Sequence, residues 1–341
     1  MFECAMDFDL FPLGKRSNIK RITSEQFDEG RDFRFGTANP EKIDIAYWKL
    51  AVGYYIDPWW SREYFLKGEE PTDSIYEDAD DSDPQDLDEY AGSEDESETE
   101  TETETTAEHK TENDREDESE PQEATHKDYS YMDGGPIWCN LRFGQTTTEL
   151  PDGTVVKIAG EHEDFYDPDF QIYNDVIVYP PGASQAVGHS DFVIYGYPED
   201  VFPVTDFHTA TYIPHLNKIL VLGNMSSNYC KVDETLAASG VTPVYLLEVG
   251  TWKFEKRETH GDGPGMISRH VAELVDGVLR VTTGDPGYEE YYKTMRKVFK
   301  DGQSEHIDVE SGTVWELRLD NWTWKQNASE QATLTGEAKE T

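Results

Sequence analysis

Acidic side chains and a histidine crowd one short stretch of the sequence, residues 161–169. Its titratable residues are Glu161, His162, Glu163, Asp164, Asp167 and Asp169. Carboxylates and an imidazole this close together are residue types that bind a divalent metal or act as an acid–base pair. The spacing matches no calcium-binding loop, because the required glycine and closing glutamate are absent. We expect a polar loop of mostly structural role, on a face where a ligand would dock.

Two histidines, His208 and His270, occupy similar positions in two similar segments. Together with Asp206 they are candidate metal ligands around a shared axis. We favour the other interpretation, in which each histidine hydrogen-bonds neighbouring backbone and braces one sheet on the next. The sequence contains no Gly-x-Ser-x-Gly, no phosphate-binding glycine loop and no His-Glu-x-x-His. We therefore predict no catalytic residue, no metal and no cofactor.

The histidines belong to a repeated strand-turn-strand unit. Residues 206–224 begin with a polar side chain and end on a glycine, and residues 269–285 and 143–161 follow the same plan. The glycine comes 15, 14 and 15 residues after the polar residue, in the pairs His208 to Gly223, His270 to Gly284 and Gln145 to Gly160. Three units at nearly one spacing predict a repeat architecture.

Each unit is followed by a further apolar run, at residues 172–179, 244–249 and 314–319. In the second and third units an aromatic residue is followed by tryptophan seven positions later, in the pairs Tyr245/Trp252 and Trp315/Trp322. The first unit closes instead with the apolar stretch 192–195. Valine, isoleucine and aromatic residues between turn residues favour strands, so each unit is predicted to supply four.

A four-stranded unit with these marks resembles a kelch repeat. The residues that carry the resemblance are His208, Gly223, Tyr245, Trp252, His270, Gly284, Trp315 and Trp322. The resemblance covers residues 140–326 and implies that the predicted body, residues 134–326, is a β-propeller of four-stranded blades. The chain departs from the family in keeping one glycine of each glycine pair, and the copper-oxidase activity of one relative is not carried over. With three blades found, the propeller is expected to be incomplete or completed by N-terminal residues.

Residues 1–67 are predicted to form a small helical segment that packs on the body. Asn39-Pro40 and Asp57-Pro58 each resemble a helix start, with a capping side chain followed by proline. Thr23 and Gln26 resemble a capping box. The aromatic residues after Asp57, beginning with Trp59 and Trp60, need cover, either from the body or from a partner.

Residues 68–133 form an acidic low-complexity linker. The range 68–128 holds 27 Asp/Glu against three Lys/Arg, within a chain of net charge −42. So few apolar residues cannot offset the entropy of ordering, so we expect disorder here and in the tail 327–341. The segment is either a solvating linker or a tether that attracts basic protein surfaces. Its serines and threonines are also candidate phosphorylation sites.

The remaining composition narrows the class of protein. Cys4, Cys139 and Cys230 are sparse and unpaired in spacing, which favours a reducing compartment. No secretory signal or membrane-spanning stretch is recognised, and no Lys/Arg cluster stood out for nucleic acid or an anionic membrane. We therefore expect a cytoplasmic or nuclear protein.

Two hypotheses about function remain. The first is a non-catalytic interaction scaffold, in which a kelch-like propeller presents loops to a protein partner and the acidic segment attracts basic surfaces. The second is an enzyme with a metal or acid–base site in residues 161–169. We favour the first because recognisable catalytic motifs are absent.

Overall fold

A computed structural model describes residues 15–31, 33–71, 135–162, 169–227, 231–232, 240–283, 294–300, 303–309 and 312–327. The prediction of disorder in the acidic linker and the tail falls almost entirely on residues outside these ranges. Gly284, Glu163, Asp164 and Asp167 also lie outside them.

The N-terminal segment is helical at two of the three predicted starts. Its elements are a 3₁₀ helix at Arg16–Arg21, α1 at Ser24–Arg31, α2 at Ala46–Tyr54, α3 at Pro58–Ser61 and a π-helical turn at Arg62–Leu66. Thr23 and Gln26 form the reciprocal bonds of a capping box, since each side chain accepts from the other residue's backbone N–H. Asp57 caps α3 by accepting from the N–H of Trp59 at 2.7 Å.

The third predicted helix start, Asn39-Pro40, is wrong. This peptide bond is cis, strand β1 (Glu41–Ile43) follows it, and α2 begins only at Ala46. The Asn39 side chain accepts from the backbone N–H of Phe254 at 2.8 Å and donates to its carbonyl at 2.7 Å. Because both ends of the amide are bonded to a strand of the body, the side chain does not cap a helix.

Among the described residues, the body contains three five-stranded sheets, and in each of them four antiparallel strands follow one another in chain order. The first sheet contains β2 (Thr146–Glu149), β3 (Val155–Ile158), β6 (Val176–Tyr179) and β7 (Val193–Gly196), and β1 extends its outer edge. The second contains β8 (Thr205–Ile213), β9 (Lys218–Ser227), β11 (Val244–Glu248) and β12 (Phe254–Arg257). The third contains β15 (His270–Val275), β16 (Val278–Thr283), β19 (Val314–Arg318) and β20 (Thr323–Asn327).

Smaller pieces attach to these sheets. They are the pair β4 (Glu161–His162) and β5 (Gln171–Ile172), β10 (Lys231–Val232) beside β9, β13 (His260–Gly261) beside β20, and a sheet of β14 (Met266–Ser268), β17 (Met295–Lys300) and β18 (Gln303–Asp308). The prediction of a largely β body with four strands per unit is confirmed. The described part of the N-terminal segment adds one strand and a helical layer, and no fourth sheet is found in it.

The apolar side chains show how the layers stack. Strand β11 is buried on both faces: Tyr245 and Leu247 point toward the first sheet, while Val244 and Leu246 point toward the third. This follows from the two-residue period of a strand, since successive side chains point to opposite faces. The second sheet therefore lies between the other two, with strand β8 beside both β2 and β15.

The helical layer covers the remaining face of the first sheet. Ile177 and Tyr179 join a core with the buried residues of α2. The indoles of Trp48 and Trp138 stack with ring centroids 4.1 Å apart. Aromatic burial of this kind contributes ~2 kcal/mol or more per side chain. In the described part of the chain, no helix is long and apolar enough to cross a membrane.

Candidate functional site

At or near the start of the first strand of each sheet, one residue has a positive φ angle. Gly144, Phe207 and Arg269 all have positive φ, at 59°, 43° and 58°. The N–H of Phe207 donates to the carbonyl of Gly144 at 3.1 Å, and the N–H of Arg269 donates to the carbonyl of Phe207 at 2.9 Å. The three units are therefore linked to each other at one equivalent position.

His208 and His270 make the side-chain contacts of the same junction. His208 Nε2 lies 2.8 Å from Thr146 Oγ1, and His270 Nε2 lies 2.9 Å from Thr209 Oγ1. The expected partner was backbone; the observed partner is a hydroxyl of the preceding sheet. Successive side chains of a strand point to opposite faces. His208 therefore faces the first sheet, and Thr209, the next residue, faces the third sheet.

Both imidazoles are uncharged at neutral pH. Burial lowers the pKa of His270 to about 3, and burial together with the charge of His270 lowers the pKa of His208 to about 3. Each histidine uses Nε2 in the junction, and each Nδ1 is buried with no hydrogen-bond partner among the described residues. Among the described residues no three His, Cys, Asp or Glu side chains are grouped as metal ligands would be.

The spacing between polar residue and glycine has a steric cause. Gly223 has φ 154°, and a Cβ placed on it would lie 2.7 Å from the Cα of His208. In the first unit, Gly160 has φ 93° and its added Cβ would lie 2.8 Å from the Cβ of Gln145. In the first two units, the glycine therefore lies directly against the polar residue at the open end of the hairpin.

The spaced aromatic residues close the sheets. Trp252 and Trp322 both have φ 58°, and each N–H donates across its turn at 2.8 Å, to the carbonyls of Glu248 and Arg318. Tyr245 and Trp315 are buried in their strands, at 4% and 3% exposure. Packing and turn geometry account for these four positions.

The acidic stretch 161–169 is described only at its two ends. Glu161 and His162 form β4, and His162 Nδ1 lies 2.8 Å from the carbonyl of Leu141. Asp169 accepts from Arg62 Nη2 at 2.5 Å and from the N–H of Ile137 at 2.9 Å. Both side chains of the Asp169–Arg62 pair are 2% exposed, so this carboxylate is part of the buried packing.

A second buried ion pair was not identified from the sequence. Arg142 donates from Nη1 and Nη2 to the two oxygens of Asp175, at 2.6 and 2.9 Å. The indole N–H of Trp138 donates to the same carboxylate at 2.9 Å, and the Arg142 guanidinium lies 3.6 Å from the centre of the Tyr173 ring. Charged groups this deeply buried need such complete pairing. Nothing in the local sequence identifies the partners.

Arg62 also contacts the chain that returns from the acidic segment. Its Nη2 donates to the carbonyl of Gly135 at 2.8 Å, while the N–H of Lys67 donates to the carbonyl of Arg62 at 3.2 Å. The chain leaves the described structure after Pro71 and re-enters it at Gly135. The returning end of the acidic segment is therefore bonded to the buried Arg62 guanidinium, and its departing end follows the π-helical turn that begins at Arg62.

The outer face of the third sheet carries alternating charge and is not covered by any other described part of the chain. One row of paired residues crosses all four strands, in the order Glu273, Arg280, Glu316, Lys325. Val271 and Val275, on either side of Glu273, are 43% and 39% exposed. The alternation of polar and apolar residues in 270–275 is a sequence signal for this face.

Comparison with known proteins assigns no family: no protein-family model matches the chain, and no curated protein is significantly similar to it.

Proposed function

We propose that the chain is a non-catalytic protein-interaction scaffold, built as a kelch-like propeller of three blades, whose acidic segment attracts partners with a basic surface. The blade interpretation is supported by the shared strand order and by the equivalent junctions at Gly144, Phe207 and Arg269. The expectation that the partner has a basic surface is supported by the net negative charge of residues 68–128.

The observation that carries the proposal is the anchoring of the acidic segment on Arg62. The range 68–128 carries 27 acidic residues. The chain that follows it is held at Gly135 by the buried Arg62 guanidinium, and the chain that precedes it leaves the π-helical turn that begins at Arg62. A dense negative charge fixed to a rigid body raises the rate at which a basic surface encounters that body. The stacked sheets then act as the support from which loops contact the partner.

The alternative enzyme hypothesis gains no positive support from the described residues. Asp169 is bonded to Arg62, and His162 lies against the carbonyl of Leu141. The buried pair Arg142–Asp175 is likewise fully engaged in packing. These contacts give Asp169, His162 and the Arg142–Asp175 pair a role in stabilising the fold.

The test compares the full chain with a variant in which residues 72–128 are replaced by an uncharged Gly/Ser linker of equal length. Partners captured by the full chain from cells are purified, and their dissociation constants are measured over a salt series. We expect the affinity of the full chain to fall by about tenfold or more as salt rises from about 0.05 to about 0.5 M, because screening weakens charge attraction. The linker variant should bind weakly at every salt concentration.

A salt-independent affinity that is equal in both proteins would contradict the role of the acidic segment. A variant with neutralised charges on the third sheet, Glu273→Gln with Glu316→Gln, serves as the control. It removes acidic charge from the body and keeps the segment.

A further inference from the structure

A small basic patch lies on the helical layer of this strongly acidic chain. Four of the seven residues 15–21 are basic and none is acidic, namely Lys15, Arg16, Lys20 and Arg21. The 3₁₀ helix that carries most of them packs against α2 and α3. We call these four residues together with Lys67 the basic patch. The net charge of −42 conceals this local excess of basic residues.

Aromatic rings hold the cations of this patch in place. The guanidinium of Arg16 lies 5.2 Å from the ring centre of Trp60, and that of Arg21 lies 4.5 Å from the ring centre of Tyr54. The Lys67 ammonium lies 4.4 Å from the ring centre of Trp59, which is 38% exposed. Cations positioned over ring faces lose less freedom when an anion binds, so they present a preorganised positive surface.

The first residues of the acidic segment contact the basic patch. Glu70 forms an ion pair with Lys20, with 2.5 Å between Nζ and Oε2. The N–H of the preceding residue, Glu69, donates to the carbonyl of Glu63 at 2.9 Å. Beyond Pro71 come a further 25 acidic residues, up to residue 128, before the chain returns to Gly135.

We propose that carboxylates of residues 72–128 bind the basic patch of the same chain and so keep other polyanions off it. Both flanks of the segment are anchored beside the helical layer, through Glu70 on Lys20 and through Gly135 on Arg62. Attachment at both ends gives these carboxylates a high effective concentration at the patch, and no outside polyanion has this advantage. The patch has five cations, so most of the segment's 25 carboxylates remain available to an outside basic surface.

The proposal does not depend on the scaffold function, because it concerns only the helical layer and the acidic segment. Its probe is a fluorescein-labelled synthetic peptide with the sequence of residues 93–120. Binding is measured by fluorescence anisotropy to the full chain and to the variant in which a Gly/Ser linker of equal length replaces residues 72–128. We expect the linker variant to bind the peptide about tenfold or more tightly than the full chain, in a salt-dependent manner.

A matched pair of triple variants locates the binding. In the linker variant, Lys15→Gln, Lys20→Gln and Lys67→Gln should reduce peptide affinity about tenfold, because three exposed cations are removed. The control removes the same charge from exposed lysines of the body, by Lys253→Gln, Lys256→Gln and Lys325→Gln, and should change the affinity less than about twofold. Equal effects of the two triple variants, or equal binding by full chain and linker variant, would overturn the proposal.

A second readout works on the unmodified protein. A carbodiimide joins ammonium and carboxylate groups that are in contact, and mass spectrometry locates the links. We expect links from Lys15, Lys20 and Lys67 to residues 72–128 within one molecule, and their loss in about 1 M salt. Links spread evenly over all exposed lysines, or found only between two molecules, would contradict binding within one chain. If the linker variant binds a single-stranded DNA of similar length but not the peptide, the patch is a nucleic-acid surface and the proposal is wrong.

Discussion

His270 Nε2 lies 2.9 Å from Thr209 Oγ1, so a buried imidazole of the third sheet is bonded to a hydroxyl of the second. Thr146 and His208 repeat this contact between the first and second sheets at 2.8 Å. The two junctions make the stacking of the sheets dependent on uncharged histidines. The first prediction concerns the pH at which this arrangement weakens.

Replacing both histidines, by His208→Gln and His270→Gln, should reduce the loss of stability in acid. Each histidine has a pKa of about 3 in the folded chain, below its ordinary value of 6.5. The unfolded chain therefore takes up protons as pH falls below 6.5 while the folded chain does not, and stability is lost between pH 6.5 and pH 3. By pH ~5 this loss is about 2 kcal/mol per histidine.

The measurement is the free energy of unfolding in urea at neutral pH and at pH ~5. The natural protein should lose about 4 kcal/mol more than the double variant over this interval, since carboxylates contribute equally to both. Gln145 already occupies the matching position of the first sheet, where its side chain donates to the carbonyl of Ala159. His215→Gln, at an exposed histidine, is the control. Identical acid losses in the natural protein and the double variant would show that the histidines are not held uncharged.

Breaking the buried ion pair between the helical layer and the body should destabilise the fold strongly. Asp169→Asn leaves the Arg62 guanidinium buried without its counter-charge, which costs about 3–5 kcal/mol. The exposed pair Arg318–Asp320 provides the control, because solvent screens its charges and Asp320→Asn should change the stability far less. Urea denaturation of both variants tests this, and similar small losses would mean that Arg62 is reached by water.

Alanine at Gly223 should be more costly than alanine at another glycine of positive φ. The added Cβ would lie 2.7 Å from the Cα of His208, whereas at Gly250, with φ 93°, it would meet no atom within 4 Å. Gly250→Ala should cost about 1 kcal/mol for its backbone alone, and Gly223→Ala about 2 kcal/mol or more because of the added clash. Thermal unfolding of the two variants gives the comparison, and an equal cost would remove the steric explanation of the repeat spacing.

The outer face of the third sheet should tolerate polar substitution. Val271→Thr with Val275→Thr is expected to change the free energy of unfolding by less than about 0.5 kcal/mol, because both side chains are substantially exposed. Val281→Ala, at a fully buried position of the same sheet, should cost about 2 kcal/mol. Chemical denaturation at two protein concentrations provides the check. A large, concentration-dependent loss in the double valine variant would show that another copy of the chain covers this face.

The candidate site was predicted less completely than the strands. The positions of His208 and His270 at sheet junctions follow from their place in the repeat, but their hydroxyl partners do not. Asp169 was grouped with metal-binding candidates because its neighbours in the chain are acidic, whereas its partner Arg62 lies 107 residues away. The basic patch was not predicted, because its five cations are outweighed by the acidic residues in the net charge of the chain.

The sequence by itself determined the strand pattern and the glycine positions, because both depend on local physics. Alternating apolar residues specify a strand that is buried on one or both faces, and a hairpin end that meets a backbone needs a residue without Cβ. The tertiary structure decided which charges are buried together and where the N-terminal segment docks. Asn39 bonds Phe254 across 215 residues of chain, and Arg142 reaches Asp175 across a folded sheet. Such pairings depend on which faces of the sheets and helices pack against each other, and the local pattern of residues does not specify that packing.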